Sequence, residues 1–364
     1  VQLGETYRIV PGRAVPREVN AQRANNNLDV AVHDGRRYLV WRTAPIHFAS
    51  PKTMLYVVST DDPRGDWRYE TEVSLGRDVR EPRFLSWDGR LFLFFTTLGR
   101  TAHLFEPDRI HLMERVGDTW TDPRPISPPG YLAWRPRVLR GRPVLTVYGG
   151  GGAIYTTDAE PTGVELWTTT DGSTWGPIDP SRRVAHVGGS ETEIIDAPGG
   201  GFVAVTRKEG PYGGWGSDVC LVPDDLVSPW ERHSFPIKLD SPFAFRHDDG
   251  VYLVARRQLA NGGRFDLGWS KPDVQRRTKL YQAMYWLTRK RTSLWTIETD
   301  PVQVRWLTDL PSRGDTCFPA VVGEGAGRFT VYNYSSPIDG RDRRWVSGQL
   351  GPTWIYATEL ELSG

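Results

Sequence analysis

Apolar and polar positions alternate with a period of two along most of this chain. The alternating runs are short and are broken by Gly, Pro and Asp-Gly. The stretch Asn25–Asp62 shows the pattern most clearly. Leu28–His33 alternates up to a turn at Asp34-Gly35, and Arg37–Thr43 alternates after it. A loop, Ala44–Pro51, carries His47, and Met54–Ser59 is a third run. Strand, tight turn, strand, loop and strand, rich in β-branched and aromatic residues, predict an antiparallel meander.

The unit then recurs. Strand pairs open at Glu81-Pro82-Arg83-Phe84, Arg135-Pro136-Arg137-Val138, Glu191-Thr192-Glu193-Ile194, Ser241-Pro242-Phe243-Ala244 and Thr316-Cys317-Phe318-Pro319. Each turns at or near a glycine, for example Asp88-Gly89, Gly141, Gly199–Gly201, Asp249-Gly250 and Gly325–Gly327. The openings lie roughly 50–55 residues apart, with a longer step across the fifth unit, which is a propeller-blade period. The fold class expected is all-β: one β-propeller over residues 1–364, with six four-stranded antiparallel blades, or five or seven if a unit has been merged or split. Thr6–Val10 is expected to complete the last blade. Lys279–Leu287 is read as a strand, and Leu259–Arg277 as a long basic surface loop.

Composition agrees with that picture. Gly (38) and Pro (28) supply the turns, and Trp (15) and Tyr (14) supply bulk for a core. The formal net charge of +1 gives no whole-chain argument for nucleic acid. No run of eighteen apolar residues is present, so no membrane span is expected. The chain starts at Val1 rather than Met, which fits a removed leader and a secreted or periplasmic protein, with the cytoplasm as the alternative. Cys220 and Cys317 read as two buried thiols, or as a single disulfide. No His-x-x-x-His or Cys cluster points to a metal, and no cofactor motif is found; Gly149–Gly152 lacks the Lys and the helix of a phosphate loop. A monomer is expected.

Propeller geometry converts the repeat into a site. The start of each innermost strand and the end of the next one gather at one mouth of the channel. These positions hold Asp29, Arg42, His47, Glu81, Arg83, Arg135, Arg137, Tyr148, Glu191, Glu193, Arg207, Arg256, Arg257, Asp315, Tyr332 and Tyr334, whereas the opposite face receives ordinary turns. Guanidinium forks suit carboxylate, sulfate or phosphate, and aromatic faces suit sugar rings. Arg42, Arg83, Arg137, Tyr148, Arg207, Arg256 and Tyr332 are therefore candidate substrate-binding residues. The alternative is that Arg83 and Arg137 neutralise Glu81 or Glu193. His47, with an ordinary pKa near neutrality, is a candidate proton-transfer group or else a packed loop histidine. Glu191 and Glu193, two apart, are expected on one strand face, where each would raise the other's pKa, or where one would hold Arg207. Tyr334 is a candidate nucleophile beside a glutamate.

The architecture and the stretch Ser190–Arg207 (SETEIIDAPGGGFVAVTR) resemble the sialidase superfamily of six-bladed propellers. The resemblance implies a mid-chain glutamate (Glu191 or Glu193) activating a last-blade tyrosine (Tyr332 or Tyr334), and arginines (Arg42, Arg207, and Arg256 or Arg257) gripping a carboxylate. Thr168–Trp175 (TTTDGSTW) and Ser59–Trp67 (STDDPRGDW) resemble degenerate copies of that family's outer Asp-box turns, the first lacking Asp at the box position and the second carrying extra residues. The first-blade Arg-Ile-Pro of the family is absent. Arg42–Ser59 (RTAPIHFASPKTMLYVVS) is similar to propellers that cleave rhamnose linked to glucuronic acid, some of which use a mouth histidine and some of which are lyases.

Three functions are consistent with these features. The first is an exo-acting glycoside hydrolase on a glycan with an acidic, uronate-type sugar. The second is a polysaccharide lyase acting on a rhamnose–glucuronate linkage by β-elimination, with His47 or a tyrosine as base. The third is a non-catalytic sugar-binding propeller.

Overall fold

The structure is a computed structural model that describes residues 1–101, 105–149, 161–210, 212–271 and 273–363. Gly150–Gly152 lies outside the described residues. Six antiparallel sheets follow one another along the chain, each of four strands or of four with a split outer strand. Their innermost strands are Ala24–His33, Val79–Trp87, Tyr131–Leu139, Gly189–Asp196, Asp240–His247 and Thr316–Gly325. These are blades one to six of a propeller. Blade six takes its outermost strand, Gln2–Val10, from the start of the sequence, where it pairs with Trp354–Glu361. The expected closing strand is thus present and four residues longer. Removing residues 1–11 would leave the Trp354–Glu361 edge unpaired. A chain beginning at Gly12 is expected to melt at a lower temperature than the full chain and to aggregate, as measured by circular dichroism and light scattering.

Each innermost strand is irregular at the same place. Register shifts fall between Asn26 and Leu28, Arg80 and Arg83, Ala133 and Arg135, Gly189 and Thr192, Asp240 and Phe243, and Cys317 and Ala320. The backbone is left-handed at Asn27 (φ 44°), Glu81 (φ 56°), Ser241 (φ 54°) and Phe318 (φ 54°). Such bulges leave a residue out of the ladder. This explains the prolines at 82, 242 and 319 inside central strands, since an N–H is dispensable there. The opening tetrapeptides of blades two, four, five and six contain these bulges, whereas that of blade three, Arg135–Val138, begins where its bulge ends.

Just beyond the bulges the channel is filled. Arg135 of blade three crosses it to Asp29 of blade one (2.7 Å) and to the Pro319 carbonyl of blade six (3.3 Å). Arg137 grips Glu193 with two nitrogens, each at 2.9 Å, and Arg135 approaches Glu193 at 3.4 Å. Arg83 donates to the carbonyls of Trp134 and Leu28, and its guanidinium lies 4.6 Å from the Trp134 ring and 4.5 Å from Phe318. Burial and the neighbouring Arg135 push its pKa down to about 9. This ionic plug ties blades one, three, four and six together across the channel, and the mouth on the His47 side of it is the cup.

The outer turns also repeat. Trp67, Trp120, Trp175 and Trp230 follow the third strands of blades one to four, and Trp67, Trp175 and Trp230 are buried. Trp175 packs edge-on against Phe94 of the preceding blade at 5.1 Å. Asp171 accepts the amides of Ser173 and Thr174, both at 2.7 Å, and these bonds hold its carboxyl down at about 2. Asp171 therefore does the work of the box aspartate, in a turn one residue shorter than the motif. This corrects the reading that the aspartate was missing. Asp62 bonds the Arg64 amide in blade one, and Asp225 bonds the amides of Val227 and Ser228 in blade four, a turn the sequence pattern did not reveal.

Lys279–Leu287 is not a strand. Helix α1 spans Val274–Trp286, capped by Asp273, whose side chain accepts the Arg276 amide. Tyr281 and Tyr285, four apart, form its buried stripe against Phe265, Trp215 and Trp345. The basic stretch before it carries a 3₁₀ turn at Asn261–Gly263. Among the described residues no helix is long and apolar enough to cross a membrane. Cys220 and Cys317 are separate buried thiols, each pushed up to about 12 by burial.

Candidate active site

The mouth cluster is centred on Asp315, which precedes the inner strand of blade six. Its carboxylate receives three donors from three elements. His47 Nδ1 lies at 2.7 Å from one oxygen, and the Tyr334 hydroxyl (3.0 Å) and the Trp345 indole N–H (2.9 Å) donate to the other. Tyr334 comes from the second strand of blade six and Trp345 opens the short helix Trp345–Gln349. Burial raises the Asp315 carboxyl, but the contacts with His47, Arg256 and Tyr334 outweigh it and hold the group below the ordinary carboxylate range. A carboxylate only accepts, so Nδ1 of His47 carries the proton and Nε2 is left with its lone pair.

His47 is held from the backbone as well. Its amide donates to the Gln349 carbonyl (3.1 Å), and its loop is braced by Arg42, which donates to the Phe48 carbonyl (3.0 Å), Asn26 Oδ1 (3.1 Å) and Asp78 (2.8 Å). The His47 side chain keeps 15% of its surface, whereas Asp315 keeps none. Burial moves the imidazole pKa below its ordinary value; Asp315 opposes this and Arg80 and Arg42 reinforce it. The balance favours the neutral ring.

Two glutamates approach from the other side of the cup. Glu191 takes Arg207 Nη1 on one oxygen and the Ser241 amide on the other, both at 2.7 Å. Glu81 sits on the strained bulge of blade two, buried, with Oε2 unpartnered. Burial and then the nearby Glu191 push its pKa up to about 7, against Arg80, Arg83 and Arg207. Arg80, its neighbour in sequence, reaches the His47 carbonyl at 3.5 Å, so the Glu81 bulge adjoins the His47 loop. On blade five, Arg256 donates to the Thr316 carbonyl (2.7 Å) and Asp240 (3.2 Å), and approaches the Tyr334 hydroxyl at 3.4 Å. Tyr285 of α1 donates to Asp240. Burial and Asp315 push the Tyr334 phenol well above its ordinary pKa.

The structure thus brings His47, Tyr334, Glu191, Arg207 and Arg256 to one cup and parts the other candidates from it. Glu193 does not share a face with Glu191. The bulge at Ser190-Glu191 breaks the alternation, so Glu193 enters the plug with Arg135 and Arg137. Arg83 belongs to that plug too. Arg42 is fully buried and serves the loop. Tyr332 shares a strand face with Tyr334 but lies deeper, where Arg37, from the turn end of blade one, donates to its hydroxyl (2.6 Å). Tyr148 is buried in the apolar core with Leu132, Trp134 and Val164. Arg257 is turned outward onto Asp309. Among the residues left out of the sequence-derived candidate set, Asp240, Trp345 and Tyr285 carried no local signal, because helix and strand meet there only in three dimensions. Among the described residues no group of three or more His, Cys, Asp or Glu side chains is arranged to hold a metal.

No family model matches this chain, and no curated protein matches it. Solved structures do. The fold is that of the sialidase-like propellers. A Trypanosoma rangeli sialidase in complex with the inhibitor DANA superposes with a TM-score of 0.67 at 12% identity over 99% of this chain and 60% of that one. The same organism's sialidase with 2,3-difluorosialic acid, a covalent intermediate, gives 0.64 at 13% identity over 97% and 59%. A protein of unknown function from Dyadobacter fermentans gives 0.63 at 16% identity over 93% and 95%. The chain spans about 60% of the length of the trypanosomal sialidases. At these identities the likeness establishes the architecture.

Proposed function

We propose that this protein is a glycoside hydrolase that cleaves a terminal sugar held in the cup, with His47 as general base and Glu81 as general acid. The observation that carries the reading is the bond from His47 Nδ1 to the buried Asp315, which leaves Nε2 as a fixed proton acceptor on a side chain that keeps part of its surface. In a single displacement, Nε2 takes a proton from water, the water oxygen bonds to the anomeric carbon, and Glu81 protonates the departing glycosidic oxygen. Asp315 stabilises the imidazolium that forms. Environments that hold a histidine neutral and a carboxyl protonated supply a base and an acid at the same pH. The similarity in fold to Trypanosoma rangeli sialidases, solved with the inhibitor DANA and with 2,3-difluorosialic acid, supports sugar chemistry at this mouth.

The sugar in this reading is neutral rather than uronate. Arg42 and Arg80 pair with Asp78, Arg207 pairs with Glu191, and Arg256 pairs with Asp240. Each of these guanidinium groups already has a buried carboxylate within salt-bridge distance, Arg42 and Arg80 sharing Asp78, so a ligand carboxylate would have to compete with a buried partner. The pH dependence follows from the two shifts. Activity falls as pH drops through the lowered His47 pKa, because the base is then protonated. It also falls as pH rises above about 7, where Glu81 loses its proton. The kcat/KM profile is expected to be a bell on the acidic side of neutrality, and Glu81→Gln to remove the alkaline limb together with most of the rate. A bell unchanged in that variant rules out Glu81 as the acid.

A second reading is favoured by one contact. Tyr334 donates to Asp315 with Arg256 beside its hydroxyl, which suits a tyrosine nucleophile and retention of configuration. Proton NMR of the first-formed anomer separates the two: inversion is expected from His47-activated water, and retention supports Tyr334.

A further inference from the structure

The connection from the outermost strand of blade five to the innermost strand of blade six, residues 310–315, leads inward to Asp315. An open cleft of about 320 Å³ flanks its outer part, and Arg291, Asp309, Arg313 and Ile338 are among the residues that line it. Arg313 stands two residues before Asp315, a span of about 7 Å at most, so the cleft adjoins the cup. Cations outnumber anions around it. Arg257 takes Asp309 with two nitrogens (3.0 and 2.6 Å), Arg291 takes Asp342 with two (3.1 and 2.8 Å), and Arg289 approaches the same Asp342 at 3.9 Å. Arg313 is half-buried and donates to the Gly340 carbonyl, and among the described residues no carboxylate lies within ion-pair distance of it. On the neighbouring loop the exposed Asp339 is offset by Arg341, Arg343 and Arg344, also exposed. Residues 259–291, which join the second and third strands of blade five beside the cleft, hold eight basic and two acidic residues in a chain of net charge +1. Positive charge is thus concentrated on this side of the mouth.

An aromatic ring adjoins the cleft through Asp309. The Trp306 indole N–H donates to that carboxylate (3.0 Å), and the Arg257 guanidinium lies 4.8 Å from the ring, yet Trp306 keeps 49% of its surface exposed. A large ring that is pinned at its N–H and open to solvent offers an apolar face to a sugar. We propose that this cleft is a distal subsite for a glycan residue carrying an anionic group, a carboxylate or a sulfate, with Arg313 meeting the anion and Trp306 the ring face. The proposal deepens the hydrolase reading and rests on it for taking the His47 mouth as the place where the glycan enters. The cup, whose arginines already have carboxylate partners, takes the neutral terminal sugar, and the cleft reads the charge of the chain leading away from it. A guanidinium with no carboxylate partner gains charge-assisted bonds to such a group without displacing anything.

The test is calorimetric titration with oligouronides, sulfated oligosaccharides and the neutral counterpart of each, the methyl ester or the desulfated chain. The titrated protein carries His47→Ala, so that no glycan is consumed. At least one anionic chain is expected to bind about tenfold more tightly than its neutral counterpart, and the arm in which this happens tells carboxylate from sulfate. Added Arg313→Gln is expected to remove that preference. Trp306→Ala is expected to weaken both members of the pair about three- to tenfold, and Arg142→Gln, at the turn end of blade three, to change neither. Equal affinity within every charged and neutral pair overturns the proposal. So does a preference that survives Arg313→Gln or is lost equally in Arg142→Gln, or an unchanged affinity in Trp306→Ala. The comparison of charged with neutral chains stands even if Arg313→Gln folds poorly. Arg313-dependent binding with no glycan cleaved by wild type leaves the subsite standing and removes the hydrolase reading, whereas cleavage by wild type without Arg313 dependence of binding does the reverse.

Discussion

Replacing His47 by alanine is expected to lower kcat by about two to four orders of magnitude, the usual contribution of a positioned acid–base group, with little change in KM or in melting temperature. The ring is only partly buried, and its loop is held by the His47 amide and by Arg42, which the substitution leaves in place. Asp315→Asn is expected to cost less in rate and to change its pH dependence. An amide can still bond Nδ1, but it leaves the imidazolium uncompensated and shifts the acidic limb of the bell downward. Steady-state kinetics across pH on the two variants distinguish a base and its orienting partner from a pair that merely packs. Loss of stability in both, with kcat per folded molecule unchanged, would assign His47 to packing.

Glu193→Ala should instead act on the fold. Its carboxylate is fully buried between Arg135 and Arg137, and truncation leaves Arg137 without the two charge-assisted bonds that hold it. Breaking one side of a buried ion network typically costs about 3–5 kcal/mol. Urea denaturation is expected to show an unfolding free energy lowered by that amount and a correspondingly lower midpoint, while the folded fraction keeps its kcat. A stable variant without activity would return Glu193 to the catalytic role that the sequence pattern suggested.

The contrast between Glu191 and Glu193 shows where sequence reading stops. Blade number, the closing strand and the mouth positions follow from alternation and from the recurring openings, which any observer of the 50–55-residue spacing can find. The facing of a side chain within an opening does not. A bulge adds one residue to one strand, and every assignment made by counting twos then changes face at that point. Glu81, set on the left-handed bulge, was visible as a mouth residue, but its unpaired oxygen was not. His47 was legible because a histidine in a short loop between two strands of one blade has few places to go. Its partner Asp315 lies 268 positions away, and only closure of the ring brings them together. Helix α1 was missed because Tyr281 and Tyr285 suit a strand by propensity. Burial at a spacing of four, with an aspartate cap, decides for the helix.

The central claim is that the cup hydrolyses a glycosidic bond through His47. The most direct measurement is incubation of wild type, His47→Ala and Asp315→Asn with a panel of plant and bacterial glycans, following reducing ends and ultraviolet absorbance together. The result expected is new reducing sugar without absorbance in wild type, lost in His47→Ala and diminished in Asp315→Asn. Growth of an unsaturated-uronate absorbance would make the reaction an elimination. Undiminished release by His47→Ala would contradict the claim outright.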